Sequence, residues 1–249
     1  MKTLPAAALA CLLMVAVNGW AKDRAAPIPK GTQVGVVNLL DPEVMHYHAA
    51  NDSKDSFVKI QSVAWSVQDM LDAALKEQME PLGLAVLPLA PSDSLLRSRE
   101  DCFVNAALAN GLPRKCTQTL AELASSAGVS NLVVMAPGLN NSDHAGGNRI
   151  DGVTEYMRGW GLLTRERAGG KDKPTLFNEI ELLFVTVTPD GVSLRARQWG
   201  GVLTSQWQNY TVPADQKQIP ADQLDQLQPA YAAMLSRQAK GLLEQVRVE

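Results

Sequence analysis

The chain has 249 residues with 23 Lys+Arg against 26 Asp+Glu, a formal net charge of −3, few aromatic residues and three cysteines. That mild acidity excludes the basic footprint of a nucleic-acid-binding protein. The length suits one large domain or two small ones.

Lys2 opens the chain with a positive charge, and the apolar run Leu4–Val17 follows it. Gly19 and Ala21 then flank Trp20 in a small-x-small pattern. This is the grammar of a cleaved secretory signal over residues 1–21. The run is shorter than the roughly 20 residues a spanning helix needs. Cys11 sits in the middle of it with Ala8 three positions upstream, which disfavours lipid attachment. Cleavage would leave 22 Lys+Arg against 26 Asp+Glu, a net charge of −4, with no further membrane span. A periplasmic location follows as an expectation. There Cys102 and Cys116 form the remaining cysteine pair, and an even pair in an oxidising compartment predicts a disulfide.

Residues 22–32 are charged and Pro-rich, and are expected to be a mobile lead-in to a single α/β domain over 33–249. Gln33–Leu40 is a short β-branched apolar run, the mark of a buried strand. Asp41–Asp55 turns polar and is read as loop, with a second strand in Phe57–Val63. Ser66 and Asp69 approximate a capping box ahead of a helix with Val67, Met70, Leu71, Ala74, Leu75, Met79 and Leu82 on one stripe. Pro81 and Gly83 should end it. Leu84–Ala90 reads as a strand, about Asp93–Asn110 as helical, and Thr117–Gly128 as a helix closed by its glycine. Ser130–Gly138 reads as another apolar strand, followed by the long Gly- and Asn-rich loop Gly138–Gly152.

Beyond it, Tyr156–Arg165 and Thr175–Thr188 read as antiparallel strands, and Thr188–Gly191 as a turn into a strand through Trp199. In that strand Val192, Leu194 and Ala196 alternate with Ser193, Arg195 and Arg197, one face buried and one wet. A closing helix, about Pro229–Val246, carries Tyr231, Leu235 and Leu242 toward the sheet. The order predicts an α/β fold: a mixed central sheet with helices on its faces, a late antiparallel hairpin and a C-terminal helix.

The stretch Leu120–Gly138 resembles the helix–Gly–strand unit of a group of bacterial envelope proteins. They are curli-secretion lipoproteins, lipoprotein activators of penicillin-binding proteins, and the N-terminal domain of the Tol–Pal propeller protein. The first strand, the late hairpin and the closing helix are similar in layout, over about residues 33–247. The resemblance implies a binding or assembly role, with an envelope protein or cell-wall component as partner. This chain departs from it in the Cys102–Cys116 segment and the loop bearing His144.

His46 and His48 are the most suggestive local chemistry. In an extended segment they share a face, and with His144, or Asp143, they could hold a divalent metal such as zinc. The alternative is two histidines on an exposed loop, the expectation adopted here, with no cofactor and no catalytic residue. Glu179 and Glu181 share a strand face and read as solvated. Trp199, Trp207 and Tyr210 read chiefly as packing residues, and Ser56 with Lys59 as a chance spacing. The expected function is a non-enzymatic periplasmic protein that binds another envelope component; the alternative is a metal-binding protein or metal-dependent hydrolase built on His46, His48 and His144.

Overall fold

A computed structural model describes residues 26–104, 112–138, 149–150, 153–154, 159–166, 174–199, 205–207 and 210–249. The expected signal segment and His144 lie outside the described residues.

The fold is a mixed α/β sheet closed by a C-terminal helix. In chain order the strands are β1 (Gln33–Asn38), β2 (Val44–Ala49), β3 (Phe57–Gln61), β4 (Ala85–Leu89) and β5 (Asn131–Pro137). A short hairpin, β6 (Arg149–Ile150) and β7 (Val153–Thr154), comes next. Then follow β8 (Gly159–Arg165), β9 (Thr175–Thr188), β10 (Gly191–Trp199) and β11 (Ser205–Gln206). The helices are α1 (Val67–Met79), α2 (Asp93–Arg99), α3 (Arg114–Ala127), α4 (Ala221–Asp225) and α5 (Gln228–Leu243).

Strand order is β3-β2-β8-β9-β5-β1-β4, with β10 and β11 also pairing with β9. β1 runs parallel to both β4 and β5, and β2 parallel to β8. β9 is the long spine. Its C-terminal part pairs antiparallel with β5 and β10, its N-terminal part with β8 and β11. The hand-over is abrupt: β5 ends with Pro137 opposite Ile180, and β8 begins with Gly159 opposite Glu179. The two half-sheets, β4-β1-β5 and β3-β2-β8, therefore meet at a fork on β9. Residues 39–43, between β1 and β2, cross the same fork.

Central strands covered on both faces read as unbroken apolar runs rather than alternations. In β5, Val133 and Met135 face the core under α1 and α5, while Leu132, Val134 and Ala136 face the core under α2 and α3. A small third cluster, Tyr47, Leu163 and Phe177, lies on the far half-sheet. In α5, Tyr231, Leu235 and Leu242 are buried as the helical stripe requires. A buried leucine contributes roughly 1.5–3 kcal/mol. Tyr231 donates its hydroxyl to the Gly161 carbonyl, pinning α5 to β8. At Gly161 a Cβ would meet the Met45 backbone and the Phe177 ring, so only glycine lets β8 lie against β2 there.

Local signals placed α1 well: Ser66 caps it by accepting from the Asp69 N–H, and Gly83 closes the following 3-10 turn at φ 75°. Gly128, at φ 67°, caps α3. That helix starts at Arg114 rather than Thr117, because Pro113 ahead of it sets the entry. The helical stretch from Asp93 ends at Arg99 and continues as a π-turn through Val104. Cys102 and Cys116 are disulfide-bonded, tying this turn to α3.

Three expectations are corrected. Asp41–Asp55 is not simply a loop, since it contains β2, whose polar-looking residues are enclosed between β3 and β8. The lead-in is not free throughout: Ile28 is buried, bridges to Val248 and exchanges backbone hydrogen bonds with Arg247 and Glu249. The alternation in β10 is broken by a bulge between Leu194 and Ala196, which sends Leu194 to the α2/α3 side and Ala196 to the α1/α5 side. No described helix is long and apolar enough to cross a membrane.

Candidate functional site

The fork opens into a cleft of about 180 Å³. Leu39, Leu40 and Pro137, from the ends of β1 and β5, form one wall; Met45, Tyr47, Gly159 and Trp160, from β2 and β8, form the other. Ligands of open α/β sheets favour the carboxyl ends of parallel strands, and β1 and β5 end here. Asp41, Glu43, Arg99 and Glu100 make the polar rim.

Arg99 is fixed by three hydrogen bonds. It donates from Nη1 to the Leu39 carbonyl at 2.9 Å and from Nη2 to both carboxylate oxygens of Asp41, at 2.8 and 2.7 Å. The Trp160 indole N–H donates to the Asp41 carbonyl at 3.2 Å. The crossing segment is thereby held from α2 on one side and β8 on the other. Arg99 belongs to the last turn of α2, just before the π-turn that carries Cys102, so the disulfide steadies the element presenting it.

Glu179 sits at the hand-over residue itself. It is fully buried, and neither carboxylate oxygen has a hydrogen-bond partner among the described residues. Burial pushes its carboxyl up from 4.5 to about 7, while the neighbouring Trp199 indole pulls weakly toward the charged form without meeting hydrogen-bond geometry. Glu181, two residues on, is also buried and takes a bidentate pair from Arg197, at 2.9 and 2.5 Å. The expectation of a solvated glutamate face is therefore overturned. At this point β9 is flanked by strands on both sides, and the face between the second and third apolar clusters is closed.

The histidines likewise leave the surface. Both lie in β2 and are buried, contrary to the expected exposed loop. They do share a face, as their spacing requires. His46 Nε2 and His48 Nδ1 each meet the Thr164 hydroxyl of β8, at 2.8 and 2.7 Å. One hydroxyl can donate to one ring and accept from the other, so the arrangement suits two neutral imidazoles. Phe57 stacks on His48 and meets His46 edge-on, and the Lys217 ammonium lies 5.5 Å above its ring. Burial first, then repulsion between protonated His46 and both His48 and Lys59, lowers the His46 pKa from 6.5 to about 4. No cluster of three or more metal-ligating side chains occurs among the described residues, and the third candidate ligand, His144, lies outside them.

Of the remaining candidates, Ser56 accepts a hydrogen bond from the Ala50 N–H, a turn role rather than a nucleophile's. Trp207 is buried against Tyr210, with ring centroids 4.9 Å apart, whereas Trp199 is exposed at the end of β10. Sequence reasoning missed the cleft. Its residues come from four separate stretches, and only the placement of Asp41 and Pro137 at strand ends hinted at it.

No protein-family model and no curated protein matches the chain. A solved structure of a hypothetical protein from Chlamydia trachomatis is similar over 84% of this chain and 99% of its own, with 11% identity and a TM-score of 0.30.

Proposed function

We propose that this is a non-enzymatic periplasmic protein that binds another envelope component, and that the cleft at the fork is where it does so. The observation that carries the reading is the cleft's construction: apolar walls from two half-sheets, and a rim held rigid by the Arg99–Asp41 pair. Preformed concave sites with a few fixed polar groups are the usual architecture of binding. The signal-like N-terminus and the envelope-type layout of helix, glycine and strand support the compartment. Glu181 and the two histidines are engaged structurally, the first by Arg197 and the others by Thr164.

Site-specific photocrosslinking in intact envelopes tests this. A photoreactive residue at position 45, on the cleft wall, should yield a discrete crosslinked species. The same residue at position 76, on the exposed face of α1, should not. Equal crosslinking from both positions, or none from either, would defeat the proposal.

A further inference from the structure

Beside the cleft, the sheet has an end strand, β3, with a single strand neighbour among the described residues. Val58 and Ile60 on its outer face are 40% and 59% exposed. By register Val58 stands opposite Tyr47 and Ile60 opposite Met45, both of which line the cleft. The apolar floor of the cleft thus runs on, two residues at a time, onto an edge strand that pairs with no further strand among the described residues. Edge strands are normally blunted by prolines or charges. The opposite edge strand, β4, carries Pro88, while β3 has no proline, has Lys59 on its other face and leaves its apolar pair in solvent.

From this geometry we infer the chemistry of the partner: an extended segment of another protein adds to the β3 edge, lays alternate apolar side chains on Val58 and Ile60, and places a lysine or arginine in the cleft. The inference rests on the binding reading above and specifies its ligand.

Charge decides the basic residue. Among the described residues of the rim, Arg99 is already paired with Asp41, and Glu43 adds a carboxylate beyond that pair. Size points to a single side chain, because about 180 Å³ is well under the roughly 300–1,000 Å³ of small-molecule pockets. Strand addition supplies affinity through main-chain hydrogen bonds and specificity through alternate side chains. A second copy of this chain fits less well. Symmetric pairing of β3 about its middle residue would set Lys59 against Lys59, and like charges directly opposite destabilise.

The test is selection of phage-displayed random heptapeptides on the mature, oxidised protein, followed by titration of the best synthetic peptide and its Lys→Glu or Arg→Glu counterpart. We expect peptides with one basic residue and apolar residues two apart. Binding should fall about tenfold or more in Ile60→Asp and in Glu43→Lys, with both variants unfolding like the wild type. Loss of binding should also follow reversal of the peptide's charge. Enrichment of acidic peptides, of helical i,i+3 spacing or of nothing at all would overturn the inference. So would binding indifferent to both substitutions, or an edge that only pairs with itself, seen as a dimer abolished by Ile60→Asp. If position 45 crosslinks a partner while the selection gives no basic, alternating peptide, the binding reading survives and this one falls.

Discussion

Glu179→Gln should make the protein more stable at neutral pH and leave it unchanged in acid. A fully buried acid whose pKa rises from 4.5 to about 7 is neutral in the folded state at pH 5, where the unfolded chain has already released its proton. Stability is therefore fully present below 4.5 and is lost as pH climbs toward 7. At about 1.36 kcal/mol per pH unit, the loss is roughly 3 kcal/mol. Glutamine copies the protonated carboxyl in shape and cannot ionise. The difference between variant and wild type should thus be near zero at pH 4, grow between 4.5 and 7, and stay flat above. Urea unfolding at pH 4, 5.5, 7 and 8.5 reads it directly. With a slope of about 1–3 kcal/mol per M, the wild-type midpoint at pH 8.5 should lie about 1 M below that of the variant. A gap independent of pH, or a wild type more stable at pH 8.5, would show that the carboxylate is satisfied when charged.

His46 has the opposite sign. Its folded pKa of about 4 against 6.5 means stability is lost as pH falls through that window, by roughly 3 kcal/mol, and His46→Gln should flatten this acid limb in the same urea series. Replacing both His46 and His48 by alanine should cost about 2–4 kcal/mol, since it empties buried space and strands the Thr164 hydroxyl. Zinc added to the wild type should raise its thermal midpoint little, and no more than in that double variant; a saturable, wild-type-only rise at submicromolar zinc would promote the metal reading. Gly161→Ala should destabilise by roughly 3 kcal/mol or more, because the new methyl collides with the Met45 carbonyl and lies 2.6 Å from the tip of Phe177; chemical denaturation checks it. Opening the Cys102–Cys116 bond by a double alanine substitution should cost roughly 2–4 kcal/mol, measured against the oxidised wild type.

Elements whose signals are local were legible in the sequence. Ser66, Gly83 and Gly128 mark helix ends through their own backbone demands, and the apolar runs of β1 and β5 follow from double-sided burial. The α5 stripe was readable for the same reason. What failed was β2. Val44–Ala49 looks like a loop because two of its six residues are histidines, and only Thr164, more than a hundred residues away, makes them tolerable inside. The glutamates of β9 misled similarly. Alternation of charge suggests a wet face unless Arg197 on the next strand is known to meet one of them. The cleft was least legible of all, because a fork between half-sheets is a property of register, and register is set by long-range pairing.

That fork also explains why the polar residues cluster where they do. β9 has 14 residues, longer than the common strand of about 5–6, and no other described strand pairs with its whole length. Each half-sheet seals its own apolar faces, so the α2/α3 cluster and the Tyr47–Leu163–Phe177 cluster stop short of one another. Glu179 and Glu181 occupy the interval between them, on the same face of β9 as Phe177 and Leu183. A glutamate buried without a partner weakens the fold at neutral pH, and an aliphatic residue in its place would extend the seal. The chain nevertheless keeps Glu179 at the hand-over from Pro137 to Gly159, two residues that line the cleft. At the fork the apolar lining of the sheet thus gives way to buried glutamates directly beside a cleft rimmed by fixed charge, and the proposed partner would add its contacts there.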